Sequence, residues 1–503
     1  MSNEGESAKD VFESFEEAIK ANDFQRALGI VQVMKALMPD RPEIMFLQAK
    51  CYISLGRPLE VLFTLKDLAV EPSQEASRLD LLRMTYEVLC LDDFAIQISR
   101  RIIESGEGSE EVFSSLAGLL LARGSSDEAV AAAREGLEKF PSSENLKRSL
   151  GLCYVHQKER EKALSILREL EAQGSTLAPD LAAALEEDDK QLRDEQRDQL
   201  HQEAQEHLLK AMEQTKKGEV KAAVRELVNG LRKDPTLAVA YTRLGYLLDG
   251  VGLIEEGFSL HKRALELDPN LAEAHANIGY CFQKKGDFKE AIAAFEQALE
   301  LDPLNVEAHN SIGVMYDTLG KYEKGLEHFK TALSIHPKLR STLINLGFAY
   351  RNLGKFDEAI PLLEDAVALR PDFAARFMLA SAYRQSGRSE DAKSLLTSLA
   401  ESEPESLMTW LELALCNHDL GDAEGFRIAA GKAASLKSQK PTELFKKAQV
   451  MELLDKRLAL ECWKEYVTFS GHPSVQVETV SYAKGRIDTL ETWLKEGGPL
   501  LIQ

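Results

Sequence analysis

Apolar positions along most of this chain follow a helical period, in short runs broken by glycine or proline rather than by strand-like alternation. Residues 272–303, AEAHANIGYCFQKKGDFKEAIAAFEQALELDP, show the unit. With Ala272 as position 1, Gly279 stands at 8, Phe282 at 11, Gly286 at 15, Ala291 at 20, Phe295 at 24, Ala298 at 27 and Pro303 at 32. One unit on, Gly313, Tyr316, Gly320, Gly325, Phe329, Ala332 and Pro337 fill the same places. Pro235, Pro269, Pro303, Pro337 and Pro371 follow at intervals of 34 residues, each stopping one helix before the next begins. The pattern therefore predicts two amphipathic helices per unit, neither able to bury its apolar face alone, with small residues at 8, 20 and 27 where helices approach closely.

In spacing and punctuation the unit resembles the tetratricopeptide repeat. The resemblance implies an all-α fold, an α-solenoid superhelix of about 12–13 helix-turn-helix repeats closed by a capping helix. In the amino-terminal half, repeats begin near Ala8, Pro42, Ala76, Glu110 and Glu144; the first has degenerate signals, as a cap should, and the third lacks its prolines. Later repeats begin at Ala204, Ala238, Ala272, Val306, Arg340, Phe373, Leu407 and Pro441. Between the two sets lies an acidic stretch in which nine carboxylates, from Asp180 to Glu203, face only Lys190, Arg193 and Arg197. Its good helix formers predict a solvated helical spacer, with a dimerisation segment as the other reading. The expected organisation is an amino-terminal array over 1–177, the spacer over 178–203, a second array over 204–474, and a capping helix and tail over 475–503, the helix running from Val475 to Lys495.

The resemblance further implies that first helices line a concave face through positions 2, 5, 6, 9, 12 and 13. Those positions supply the candidate peptide- or protein-binding residues Arg243, Tyr246, Asn277, Tyr280, Gln283, Lys284, Asn310, Asn345, Phe348, Arg351 and Arg384. Asparagines carry both donors and acceptors and can pair with the backbone of an extended peptide, aromatics add contact area, and arginines pair with carboxylates. The plain alternative is that asparagine at position 6 solvates the face or bonds a neighbouring helix. In the amino-terminal half the same positions hold Phe46, Leu47, Ile53, Leu121, Leu152 and Val155, an apolar set suited either to an amphipathic helix or to the chain's own other half. Repeats that clamp the carboxyl tails of heat-shock chaperones carry Lys and Asn at positions 5 and 9, where this chain has Ala276 and Tyr280.

Composition narrows the function. The net charge of -21, from 61 Lys+Arg against 82 Asp+Glu, argues against nucleic acid as a partner and for solubility. The opening MSNEGESAKD is not a secretory signal, and apolar runs such as Leu116–Ala122 are too short to cross a bilayer, so a cytoplasmic protein without membrane insertion is expected. Of six cysteines, Cys51, Cys153, Cys281 and Cys416 all occupy position 10, where a small buried residue is needed, and neither a metal site nor a cofactor is expected. His207, His275 and His309 share position 4, but a metal ion needs convergent ligands and these are a repeat apart. The run Gly425–Ala433 has the wrong spacing and lacks the hydroxyl of a phosphate loop. The expectation is a non-enzymatic scaffold or adaptor that binds a protein or peptide in its groove; alternatives are an assembly or secretion chaperone, or the regulatory subunit of an enzyme.

Overall fold

The computed structural model describes residues 2–39, 41–186, 190–471, 475 and 477–495. The fold is an all-α solenoid, with twenty-eight helices and no strand among the described residues. It divides into two compact bodies, Met1–Asp287 and Phe288–Gln503.

In the first body successive helices pair: Ser2–Lys20 with Phe24–Leu37, Pro42–Ser54 with Pro58–Leu65, Pro72–Val88 with Asp92–Glu104, Glu110–Ala122 with Ser126–Lys139, and Glu144–His156 with Arg160–Ala172. The turn inside each pair requires a left-handed residue at position 15. Glycine supplies it at Gly56 and Gly124, with φ of 64° and 79°. Where the repeat is degenerate, Asn22, Cys90 and Lys158 take the same conformation at 55°, 57° and 60°. The turn has thus persisted where its usual residue has not.

Of the acidic segment, Ala178–Glu186 forms a helix whose Ala178, Leu181 and Leu185 are buried in the core of the preceding repeats with Leu150, Leu167 and Leu170. Gly151 leaves the space for Leu181, since a Cβ there would meet the Leu181 side chain at 2.6 Å. Residues 187–189 lie outside the described residues. Lys190–Lys216 then pairs with Val220–Lys233, Ala238–Gly250 pairs with Ile254–Leu267, and Ala272–Lys285 is the last helix of this body.

The two halves of the first body share a core. Leu59, Leu62, Leu65, Leu82, Tyr86 and Leu91 belong to one buried cluster with Val224, Leu227, Val228, Leu244 and Leu260. Polar contacts frame it: Lys66 Nζ donates to Glu256 Oε1 at 2.7 Å, Tyr86 Oη donates to the same oxygen at 3.0 Å, Lys221 pairs with Glu60 at 2.8 Å, and Arg123 pairs with Glu266 at 2.7 Å. The Glu256 side chain is wholly buried. Lys221, Glu256 and Glu266 all lie on second helices of their repeats, Val220–Lys233 and Ile254–Leu267. Phe46 and Ile53, read from sequence as groove residues, are packed on this same cluster, and Leu47 on the core of the first two repeats.

The second body continues the alternation from Phe288–Leu301: Val306–Thr318 with Tyr322–Ile335, Arg340–Asn352 with Phe356–Leu369, Phe373–Gln385 with Ser389–Ser402, Leu407–Asp419 with Ala423–Ser435, and Pro441–Leu454 with Lys456–Val467. Phe426, Ala430 and Ala433, from the run that superficially resembled a phosphate loop, are buried core residues of a helix. The last helix is Val477–Lys495; Val475 precedes it, and residues 496–503 lie outside the described residues. It closes the solenoid's end against Trp463, which is fully buried with its Nε1 donating to Glu452 at 2.6 Å, and Arg486 pairs with the same carboxylate.

Candidate functional site

The sequence-predicted residues fall in both bodies. In the first, Arg243 and Tyr246 stand on Ala238–Gly250, and Asn277, Tyr280, Gln283 and Lys284 on Ala272–Lys285, both first helices of their repeats. Tyr246 is 53% exposed, one of a few large aromatics, with Phe63, Tyr482 and Trp493, that the described residues leave open to solvent. Arg243 is held by Glu273 at 2.8 Å, and Lys284 donates to the backbone carbonyl of Asp249 at 3.0 Å, so both cations are anchored at the rim. Asn277 is only 7% exposed, and its Nδ2 has no hydrogen-bond partner. A buried amide donor without a partner costs about 1–3 kcal/mol.

In the second body the asparagines bond each other: Asn345 Nδ2 donates to Asn310 Oδ1 at 3.1 Å, and Thr342 Oγ1 donates to the same oxygen at 2.9 Å. Arg351 lies over the Phe348 ring, 4.7 Å from its centroid, and donates to Ser381 Oγ at 3.2 Å. Arg384 is committed to Glu412 at 2.8 Å and Asp419 at 3.1 Å. Burial alone would lift the Glu412 carboxyl, but Lys446 and Arg384 hold it below the ordinary carboxylate range. Arg384, predicted to meet a ligand's carboxylates, already meets carboxylates of the chain, whereas Arg351 meets a hydroxyl and a ring.

Sequence register missed what happens at position 12. Position 12 is expected to face the groove, yet the carboxylates of Asp249 and Asp317, which stand there, turn back toward the glycine at position 20 of their own repeats, Gly257 or Gly325, where a Cβ would strike them. Asp317 has no partner for Oδ1, and burial pushes its pKa up to about 7. Asp249 instead meets His261, whose Nε2 is 3.1 Å from Oδ2, and Cys281, whose Sγ is 3.5 Å from the same oxygen. The only signal in the sequence was histidine at position 24, where Phe295 and Phe329 stand in the next two repeats. The histidines at position 4 do not converge: His207 meets Glu226, His275 the carbonyl of Pro269, and His309 the ring of His328.

In the amino-terminal half, Leu121 and Leu152 line an open cleft of about 420 Å³ together with Arg83, Arg148, Ser114 and Ser149, so its wall mixes apolar and polar groups. No described helix is long and apolar enough to cross a membrane.

Models of the tetratricopeptide repeat family match residues 115–188, 272–305, 304–372 and 353–411. No curated protein matches the chain. Among solved structures it is similar to MamA, at 26% identity over 31% of this chain and 92% of that one, with a TM-score of 0.29. It is similar also to YrrB, described as a TPR protein with an unusual peptide-binding site, at 22% identity over 36% of this chain and 95% of that one, with a TM-score of 0.33. Yeast Tom70 shows 16% identity over 84% of this chain and 98% of that one, with a TM-score of 0.37.

Proposed function

We propose, for a chain that belongs to the tetratricopeptide repeat family, that it is a non-catalytic protein-interaction scaffold which holds an extended peptide segment of a partner against the first helices of its repeats. The observation that carries the reading is Asn277, whose buried Nδ2 lacks an acceptor on the same helix face as Tyr280 and Gln283. A peptide backbone carbonyl is the acceptor such a donor fits, whatever the peptide's side chains, and the exposed Tyr246 ring offers contact area beside it. The polar contacts from the amino-terminal repeats land on second helices, Val220–Lys233 and Ile254–Leu267, and none of these three falls on Asn277 or Tyr246.

The test uses the full chain with a photo-reactive phenylalanine at Tyr246 and, as control, at Lys262, which is exposed on the second helix of the same repeat. A discrete crosslinked partner from Tyr246 alone is expected, and Asn277→Ala should weaken that partner about tenfold, the equivalent of one hydrogen bond. Equal crosslinking from both positions, or unchanged affinity in Asn277→Ala, would remove the groove from consideration. One defined stoichiometric partner marks a scaffold, whereas many clients whose solubility depends on the chain mark a chaperone.

A further inference from the structure

We infer that Asp249, His261 and Cys281 form a binding site for a borderline-soft divalent cation of the zinc class. They come from three consecutive helices, Ala238–Gly250, Ile254–Leu267 and Ala272–Lys285. One ligand atom from each lies within 4.8 Å of the other two. A tetrahedral ion with bonds of about 2.0–2.3 Å sets its ligands about 3.3–3.8 Å apart. The Nε2–Oδ2 separation of 3.1 Å and the Sγ–Oδ2 separation of 3.5 Å are near those edges, and the third edge, from Nε2 to Sγ, lies within 4.8 Å.

The chemistry of the donor set agrees. Thiolate with imidazole selects zinc or cobalt over magnesium and calcium, and one carboxylate with one thiolate neutralises a divalent charge that would otherwise be costly to bury. Without an ion, Asp249 Oδ2 accepts from both His261 Nε2 and Cys281 Sγ, so the three donor atoms already converge on one point among buried side chains. On binding, the thiol proton passes to solvent and the sulfur electron pair to the ion. The Asp249 side chain, 11% exposed, marks the way in, and solvent supplies the fourth ligand.

The repeats themselves contain the comparison. Position 24 ordinarily holds a large apolar group against the small residue at position 8, as Phe329 does against Gly313. In this repeat an imidazole fills that place, with Gly245 cleared so that its ring fits: a Cβ there would stand 2.6 Å from His261 Cε1. Asp317 occupies the same position 12 in its own repeat, but there position 24 is Phe329 and position 10 of the next repeat is Ala349. Three ligand types meet only where all three replacements coincide. An ion here would tie both helices of one repeat to the first helix of the next, between the segments that carry Tyr246 and Tyr280.

The experiment titrates cobalt(II) into the untagged, reduced, full-length chain stripped by chelator. Expected are thiolate-to-cobalt charge transfer and the visible bands of tetrahedral cobalt, saturating at one equivalent and bleached by zinc. Cys281→Ala should abolish the charge-transfer band and His261→Phe should lower affinity at least about tenfold; both install residues that sibling repeats carry at those positions, and unchanged circular dichroism confirms folding. Cys153→Ala, at the equivalent position of another repeat, should leave the band intact. Absence of a thiolate band in the wild-type chain, its survival in Cys281→Ala, or its loss in Cys153→Ala would each overturn the site.

Discussion

The contact that joins the two halves of the first body makes a quantitative prediction at Glu256. Its side chain is wholly buried, Oε1 accepts from both Lys66 and Tyr86, and Oε2 has no partner. Replacing Lys66 with methionine keeps the aliphatic stem but strands a carboxylate in a low-dielectric core. Removing one partner of a buried pair costs about 3–5 kcal/mol, and because the Lys66 side chain is itself 36% exposed, the lower end applies, about 3 kcal/mol. Replacing both, Lys66→Met with Glu256→Leu, removes the stranded charge and should restore most of the loss, since apolar pairs of similar volume commonly match or exceed a buried ion pair. The assay is native-state hydrogen exchange on the full chain, read on Pro58–Leu65, Pro72–Val88 and Ile254–Leu267. Each 1.4 kcal/mol is tenfold in opening, so Lys66→Met should accelerate the slowest amides there roughly 100-fold, with the helices of the second body unchanged. Protection within threefold of wild type in Lys66→Met, or a double variant no better than the single one, would refute the account of this contact.

Other outcomes follow from the same packing. Asp317→Asn should stabilise the second body by about 1–2 kcal/mol at pH 8. Because the folded pKa is raised, from 3.8 to about 7, the native state holds the extra proton: the wild type loses stability as pH rises through that window, and the variant's advantage should vanish near pH 4, as urea midpoints at the two pH values would show. Lys158→Gly should raise stability by about 0.5–1 kcal/mol, since a side chain with φ of 60° is strained where glycine is not; an unchanged or lower denaturation midpoint would count against the shared turn geometry. Ala291→Trp should overpack a fully buried close contact at a cost of about 1–3 kcal/mol or more, and unaltered melting would contradict the register.

Repeat boundaries were readable because the physics that enforces them is local. Proline stops a helix, a left-handed residue turns the chain, and alanine or glycine lets two helices close, all within one repeat of sequence. Asn22, Cys90 and Lys158 show where that reading thins out: the conformation remains while the residue that advertises it is gone. The Ala178–Glu186 helix illustrates a different limit. Its sequence is helical and acidic overall, but Leu181 and Leu185 sit one turn apart, and whether such a pair is solvated or buried depends on a neighbouring repeat having kept a glycine, here Gly151, to receive it.

What register cannot disclose is contact between residues far apart in the chain or pointing off the expected face. Glu256 reads as one more carboxylate on a helix surface; only the fold brings Lys66 and Tyr86 to it, across 190 and 170 residues. The candidate groove divides along the same line. Positions on first helices were assigned correctly to helices, but a position number says nothing of what has already claimed a side chain, and Arg384 is claimed by Glu412 and Asp419 while Asn277 is claimed by nothing. Within one body, then, the recognition residues to test first are those whose polar atoms the scaffold has desolvated without satisfying. By that criterion Asn277 and the Nε of Arg243 come first in their body, and the Nε of Arg351 in the other, ahead of Arg384, because an ion pair already formed must be broken before a ligand can use it, whereas an orphaned donor favours any acceptor that reaches it.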